Sequence, residues 1–166
     1  MKIRSFDPAF YIFLLLFLPA LLIQCASTKK NLEIQPGEAS NLINAREFRF
    51  VAQSVTPLRG TQRQLTSQYD VTVKKDSLVS YLPYFGRAYQ APMNPSEGGI
   101  QFTSTKFSYD VKPGKKNSWN IDIKPEDQQS IQQLSFLIFD NGTATLNVTA
   151  TQKDPISFYG RIQKLK

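Results

Sequence analysis

The chain is 166 residues long, carries a formal net charge of +7, and contains one cysteine and no histidine. Without imidazole, Ser-His-Asp and Cys-His catalysis, histidine metal sites and a histidine general base are excluded, and a single thiol rules out cysteine-built zinc and iron–sulfur centres. What remains is carboxylate chemistry, and Glu126-Asp127 adjoin in sequence rather than facing each other across a substrate, so the expectation is a non-catalytic protein with no cofactor and no metal.

The N-terminal stretch 1–24 reads as an export signal. Lys2 and Arg4 precede the apolar run 9–23, which falls short of the ~20 residues a membrane-spanning helix needs. Pro19 breaks that run ahead of a processing site. Leu22-Ile23-Gln24-Cys25 resembles the bacterial lipoprotein box, with Gln24 standing where a small residue is usual, and it makes Cys25 the expected lipidation site. Ordinary cleavage after Ser27 and an uncleaved anchor are the competing readings. The expected location is the periplasm-facing side of a Gram-negative cell envelope, lipid-anchored, or soluble after ordinary cleavage.

Loss of Lys2, Arg4 and Asp7 with the signal lowers the charge of +7 by one. The basic residues are not clustered: Lys74-Lys75 and Lys115-Lys116 sit beside turn residues, as solvated turns do. Nucleic acid is not an expected partner, whereas attraction to anionic lipid headgroups is compatible with the charge. Cys25, acylated or removed, leaves no intramolecular disulfide.

Residues 25–45 read as the lipid-attachment cysteine, a polar tether with Pro36-Gly37, and a short helix over 38–45 whose Leu42 and Ile43 dock on the domain. Residues 46–166 form the domain proper. Period-two alternation dominates it, placing side chains alternately on two faces of strands. Phe48 and Phe50 alternate with charged residues, as do Tyr69, Val71 and Val73. The pattern recurs at Phe107, Tyr109 and Val111; at Trp119, Ile121 and Ile123; at Ala144, Leu146, Val148 and Ala150; and at Ile156, Phe158 and Ile162. The stretch 134–139 is apolar on both sides, as in a central strand or one covered by the helix. Hairpin turns are expected at Lys75-Asp76, Lys112-Pro113-Gly114 and Asp140-Asn141-Gly142. The segment 125–133 is expected to be a helical turn or loop, with Glu126-Asp127 at a solvated helix start. About eight or nine such strands must hide their edges, and sequential hairpins favour an all-β, antiparallel up-and-down meander closed as a lipocalin-like barrel. A two-sheet β-sandwich is the alternative.

One segment breaks the alternation: Tyr81-Leu-Pro-Tyr-Phe-Gly-Arg-Ala-Tyr-Gln-Ala-Pro92, followed by Glu97-Gly-Gly-Ile-Gln-Phe102. The string from Leu82 to Tyr89, then Ala91-Pro92, Gly98-Gly99-Ile100-Gln-Phe102, Trp119, Asn141-Gly142 and Gly160, resembles the bacterial domain-of-unknown-function family numbered 4251. The resemblance runs from about Arg46 to the C-terminus. It implies a small exported or lipid-anchored β-rich domain with no assigned activity.

Tyr84, Arg87 and Tyr89 are the candidate binding residues. Aromatic faces there would stack a ring or acyl chain, and Arg87 would hold a carboxylate or phosphate. The structural alternative is that the aromatics plug the barrel and Arg87 pairs with a carboxylate such as Glu97. Two functions follow: a module binding a small hydrophobic or amphipathic ligand at an aromatic and arginine mouth, or a structural or protein-interaction module of the envelope with a solid barrel.

Overall fold

The computed structural model describes residues 34–89 and 98–165. The expected signal, Cys25 and Glu97 lie outside the described residues. A compact unit spans Leu32–Lys166. Among the described residues it comprises one short helix, α1 (Ala39–Ala45), and nine strands: β1 (Phe48–Pro57), β2 (Arg63–Val73), β3 (Leu78–Leu82), β4 (Ile100–Ser104), β5 (Phe107–Pro113), β6 (Ser118–Pro125), β7 (Ile131–Phe139), β8 (Thr143–Ala150) and β9 (Ile156–Gln163). Among the described residues no helix is long and apolar enough to cross a membrane.

The strands form one antiparallel sheet in the order β4-β3-β2-β1-β9-β8-β7-β6-β5, curled into a nearly closed barrel. Neighbours in this order are consecutive in the chain except β1 and β9, so the expected all-β meander is the fold. Its two ends are special. Since every neighbouring pair is antiparallel, the first and ninth positions, β4 and β5, run in the same sense, and only Thr105 and Lys106 separate them. They are the two halves of one long strand bent at that pair. The first half pairs with β3 and the second with β6.

Asp127 fastens the bend. Its carboxylate accepts hydrogen bonds from the Ser104 hydroxyl and from the backbone N–H groups of Thr105 (2.9 Å) and Lys106 (3.3 Å). These bonds, the Ser104 hydroxyl foremost, hold its carboxyl below the usual carboxylate range. The Glu126 amide donates to Lys106 O (2.8 Å), and Gln128 Nε2 to Thr103 O (2.9 Å). The helix start expected at Glu126-Asp127 is therefore a clamp on a distant strand, because β6 continues to Pro125 and leaves five residues to turn into β7 at Ile131. The β5–β6 turn also differs from expectation. Its left-handed residues are Lys116 (φ 56) and Asn117 (φ 51), beyond Pro113-Gly114, which the strand and its Gly114 N–H to Ser118 O bond (2.7 Å) have consumed. At the β7–β8 turn Gly142 takes the left-handed conformation (φ 79), as expected.

Alternation becomes an inner and an outer wall. Phe48, Phe50, Val71, Val73, Ile121, Ile123, Leu134, Phe136, Ile138, Leu146 and Phe158 all point inward and are buried. The Phe136 ring meets Phe48 at 5.9 Å and Phe50 at 5.6 Å between centroids, both edge to face, which fills the middle of the barrel with aromatic volume. In β7 the apolar residues between them, Leu137 and Phe139, lie half-buried on the outer wall.

The helix closes one end. Ile34, Ala39 and Ile43 are buried in the core, Tyr109 Oη donates to Ile43 O (3.0 Å), and the Arg46 guanidinium lies 5.0 Å above the Tyr109 ring. Burial raises the Tyr109 phenol well above its ordinary pKa, partly offset by Arg46. The packed unit thus begins before Arg46. On the outer wall Arg49 donates to both Asp70 oxygens, at 2.9 and 3.0 Å, tying β1 to β2.

Candidate functional site

The opposite end of the barrel collects the β1–β2 loop (58–62), the chain leaving β3, the β6–β7 turn and the β8–β9 loop (151–155). After Leu82, Pro83 ends the ladder and the chain crosses this end as a strap. Ala88 bridges Lys153, the Tyr89 N–H donates to Gln152 O (2.9 Å), and the Asp154 N–H donates to Arg87 O (3.0 Å).

The structure brings Tyr84 and Tyr89 together around one residue that sequence reasoning did not single out, Asp154. Tyr84 Oη donates within range of both Arg87 O (2.8 Å) and Asp154 O (3.0 Å), while Tyr89 Oη donates to Asp154 Oδ1 (2.5 Å). Asp154 is buried at 7% exposure, where a carboxylate needs such a donor. Burial, then the nearby Asp154 charge, pushes the Tyr84 phenol up; for Tyr89 the hydrogen bond to Asp154 is the main cause of its rise, with Arg59 and Arg87 opposing it. Lys153 Nζ donates to Gly99 O (2.7 Å) and lies 5.1 Å from the Tyr84 ring, so it joins the strap to the start of β4. Gly86 leaves room for the same packing: a Cβ there would stand 2.5 Å from the Tyr84 hydroxyl and push the ring out of its place.

Tyr84 is therefore a fastening. Its removal gives a local result: Tyr84→Phe should speed amide exchange at Tyr89 and Asp154, with a stability loss of about 1 kcal/mol, while exchange in β7 and β8 is unchanged. Equal protection of these two amides in wild type and variant would show that the hydroxyl does not hold the strap.

Arg87 and Tyr89 face outward. Arg87 is exposed and has no ion-pair partner among the described residues, and Tyr89 is 60% exposed despite its bonded hydroxyl. Around them stand exposed Leu58 (61%) and Phe85 (43%), and the exposed arginines 59 and 63. The Arg63 guanidinium lies 5.6 Å from the Phe85 ring centroid. Arg59 and Arg63 were not legible as site residues, since they precede the strap by more than twenty positions and only the fold places them beside it. Asp154 sits in the β8–β9 loop beside Pro155, and nothing in its own stretch of sequence marks it as a partner of two tyrosines.

On the outer wall, away from the strap, a depression of about 230 Å³ lies between Arg49, Asp70, Thr72, Lys74, Gln163 and Lys164. Its Arg49 is committed to Asp70 and its Lys164 to Glu38 (3.0 Å), so both cations are spent on ion pairs within the fold.

The family model for DUF4251, a domain of unknown function, matches residues 31–162. The chain belongs to the DUF4251 family. The match starts at residue 31, ahead of α1, in agreement with the burial of Ile34. A crystal structure of a DUF4251 family protein from Bacteroides eggerthii DSM 20697 superposes with a TM-score of 0.56 at 16% identity, covering 76% of this chain and 85% of that one. At that identity the likeness is one of fold. No curated protein matches the chain.

Proposed function

We propose that this DUF4251 protein is a non-catalytic cell-envelope lipoprotein, anchored through acylated Cys25, whose filled barrel is a rigid scaffold for an interaction surface at the strap end. One contrast carries the reading. The barrel interior is occupied by Phe48, Phe50, Phe136 and Phe158, whereas Leu58, Phe85 and Tyr89 stay on the surface beside arginines. A filled interior with an exposed apolar patch is the pattern of a surface that meets a partner.

A small amphipathic ligand is the second reading, favoured by the outward Arg87 beside the exposed Tyr89 ring. Native mass spectrometry of protein purified from its envelope separates the two. A discrete bound mass supports the ligand, and a clean apo mass supports the interaction module.

The anchor is tested directly. Cys25→Ser should abolish fatty-acid labelling and move the protein from the membrane fraction to the soluble fraction; unchanged partitioning with no labelling in the wild type removes the lipoprotein reading.

A further inference from the structure

We propose that the strap end docks on an anionic lipid bilayer surface, with Arg59, Arg63 and Arg87 meeting phosphate-bearing headgroups and Leu58, Phe85 and Tyr89 entering the interfacial layer between them. This rests on the reading of that end as an interaction surface and names its partner.

Charge complementarity selects the occupant. Three guanidiniums come from separate parts of the chain, the β1–β2 loop, the first residue of β2 and the strap, and the fold gathers them at one end. Arg59 and Arg87 both lie near enough to the Tyr89 hydroxyl to act on its ionisation. Asp154, the carboxylate at the centre of the cluster, is buried beneath the strap with its Oδ1 taken by Tyr89, so it presents little opposing charge outward. Guanidinium forks suit phosphate oxygens, and a leucine with two amphipathic rings beside them suits a headgroup boundary, where one end of the ring is apolar and the other wet. Arg63 lying on Phe85 sets cation and ring side by side before any lipid arrives.

The chain outside the fold permits this contact on the anchoring membrane itself. Ile34 is fixed at the helix end, against Gly142. The nine links from Cys25 to Ile34 reach about 30 Å when extended. A strand of eight residues such as β8 spans about 26 Å, and less along the barrel axis because barrel strands tilt. The linker is therefore long enough for the strap end to reach the same bilayer that holds Cys25.

The test uses residues 26–166, which retain the whole compact unit and lack the acyl chain that would itself bind lipid. The expected result is co-sedimentation with vesicles of phosphatidylglycerol and phosphatidylcholine in equal parts, weakened by salt, and none with pure phosphatidylcholine. The variant Arg59→Ala/Arg63→Ala/Arg87→Ala should lose about a hundredfold in apparent affinity, about fivefold per charge, with an unchanged melting midpoint. Phe85→Ser/Leu58→Ser should weaken binding with all three charges present. A Lys74→Ala/Lys115→Ala variant, which removes charges at the other end, should bind as wild type. Equal binding to neutral vesicles, equal binding by the arginine variant, or none to anionic vesicles overturns the proposal. In that last case, a photo-crosslinker at position 89 that captures an envelope protein in cells leaves the interaction-module reading standing. No capture there removes that reading too.

Discussion

Gly160→Ala is expected to lower the melting midpoint by about 10 °C or more. Gly160 lies on β9 opposite Ala52 of β1 and Ala144 of β8. A Cβ at that position would overlap the Val51 carbonyl oxygen and stand 2.9 Å from its carbon and 3.0 Å from Ala52 Cα. All three are backbone atoms, so no rotamer change relieves the overlap and the strands must separate. Among the described strands the β1–β9 pair is also the one ladder joining strands distant in sequence, and without it the meander has no closure. A β-bulge between Ala52 and Ser54 sits at this same point, which leaves the local ladder little room to adjust. Thermal unfolding followed by circular dichroism measures the loss, of about 3–5 kcal/mol. Tyr159→Ala, one residue away on the outer wall and 47% exposed, is the control and should cost far less. A midpoint for Gly160→Ala within a degree or two of wild type would mean that β1 and β9 do not approach this closely.

Phe136→Ala is expected to cost about 3–5 kcal/mol, the range for a buried phenylalanine whose cavity cannot collapse. Phe136 is 2% exposed and its ring is the shared partner of Phe48 and Phe50. Barrel walls are fixed by their ladders, so they cannot move inward to fill the space. Phe136→Leu restores most of the volume and should recover more than half of the loss. Urea titration with unchanged slope and a lower midpoint is the expected signature. If alanine and leucine variants unfold together near wild type, the centre of the barrel is not close-packed.

These expectations draw unequally on sequence. The inward residues of β1, β6, β8 and β9 could be read from alternation alone, because a half-buried strand must place apolar groups at every second position wherever its partners lie. The docking of Ile43 and the Gly142 turn were legible for similarly local reasons. The clamp at Asp127 was not, since its partners Ser104, Thr105 and Lys106 lie more than twenty positions away and nothing in a Glu-Asp pair distinguishes a helix start from a distant acceptor. Nor could the chain show that β4 and β5 are one bent strand. That follows from counting antiparallel neighbours around the sheet, which requires the pairing of β1 with β9.

The candidate site divides along the same line. Tyr84, Arg87 and Tyr89 drew attention because their segment breaks the alternation, a local signal. Whether each tyrosine would bind or fasten depended on Asp154, which lies 70 and 65 positions away and meets them only through the folded barrel. The family string and the two-residue period determined by themselves that this is a β-rich DUF4251 domain with an unusual segment after β3. Tertiary structure decided which aromatic rings are spent on the core, which hold the strap, and which remain outside beside arginines. The physical reason is that periodicity specifies a strand's faces through its own side chains, whereas closure, clamps and surface clusters are set by long-range pairings that no local stretch of the chain encodes.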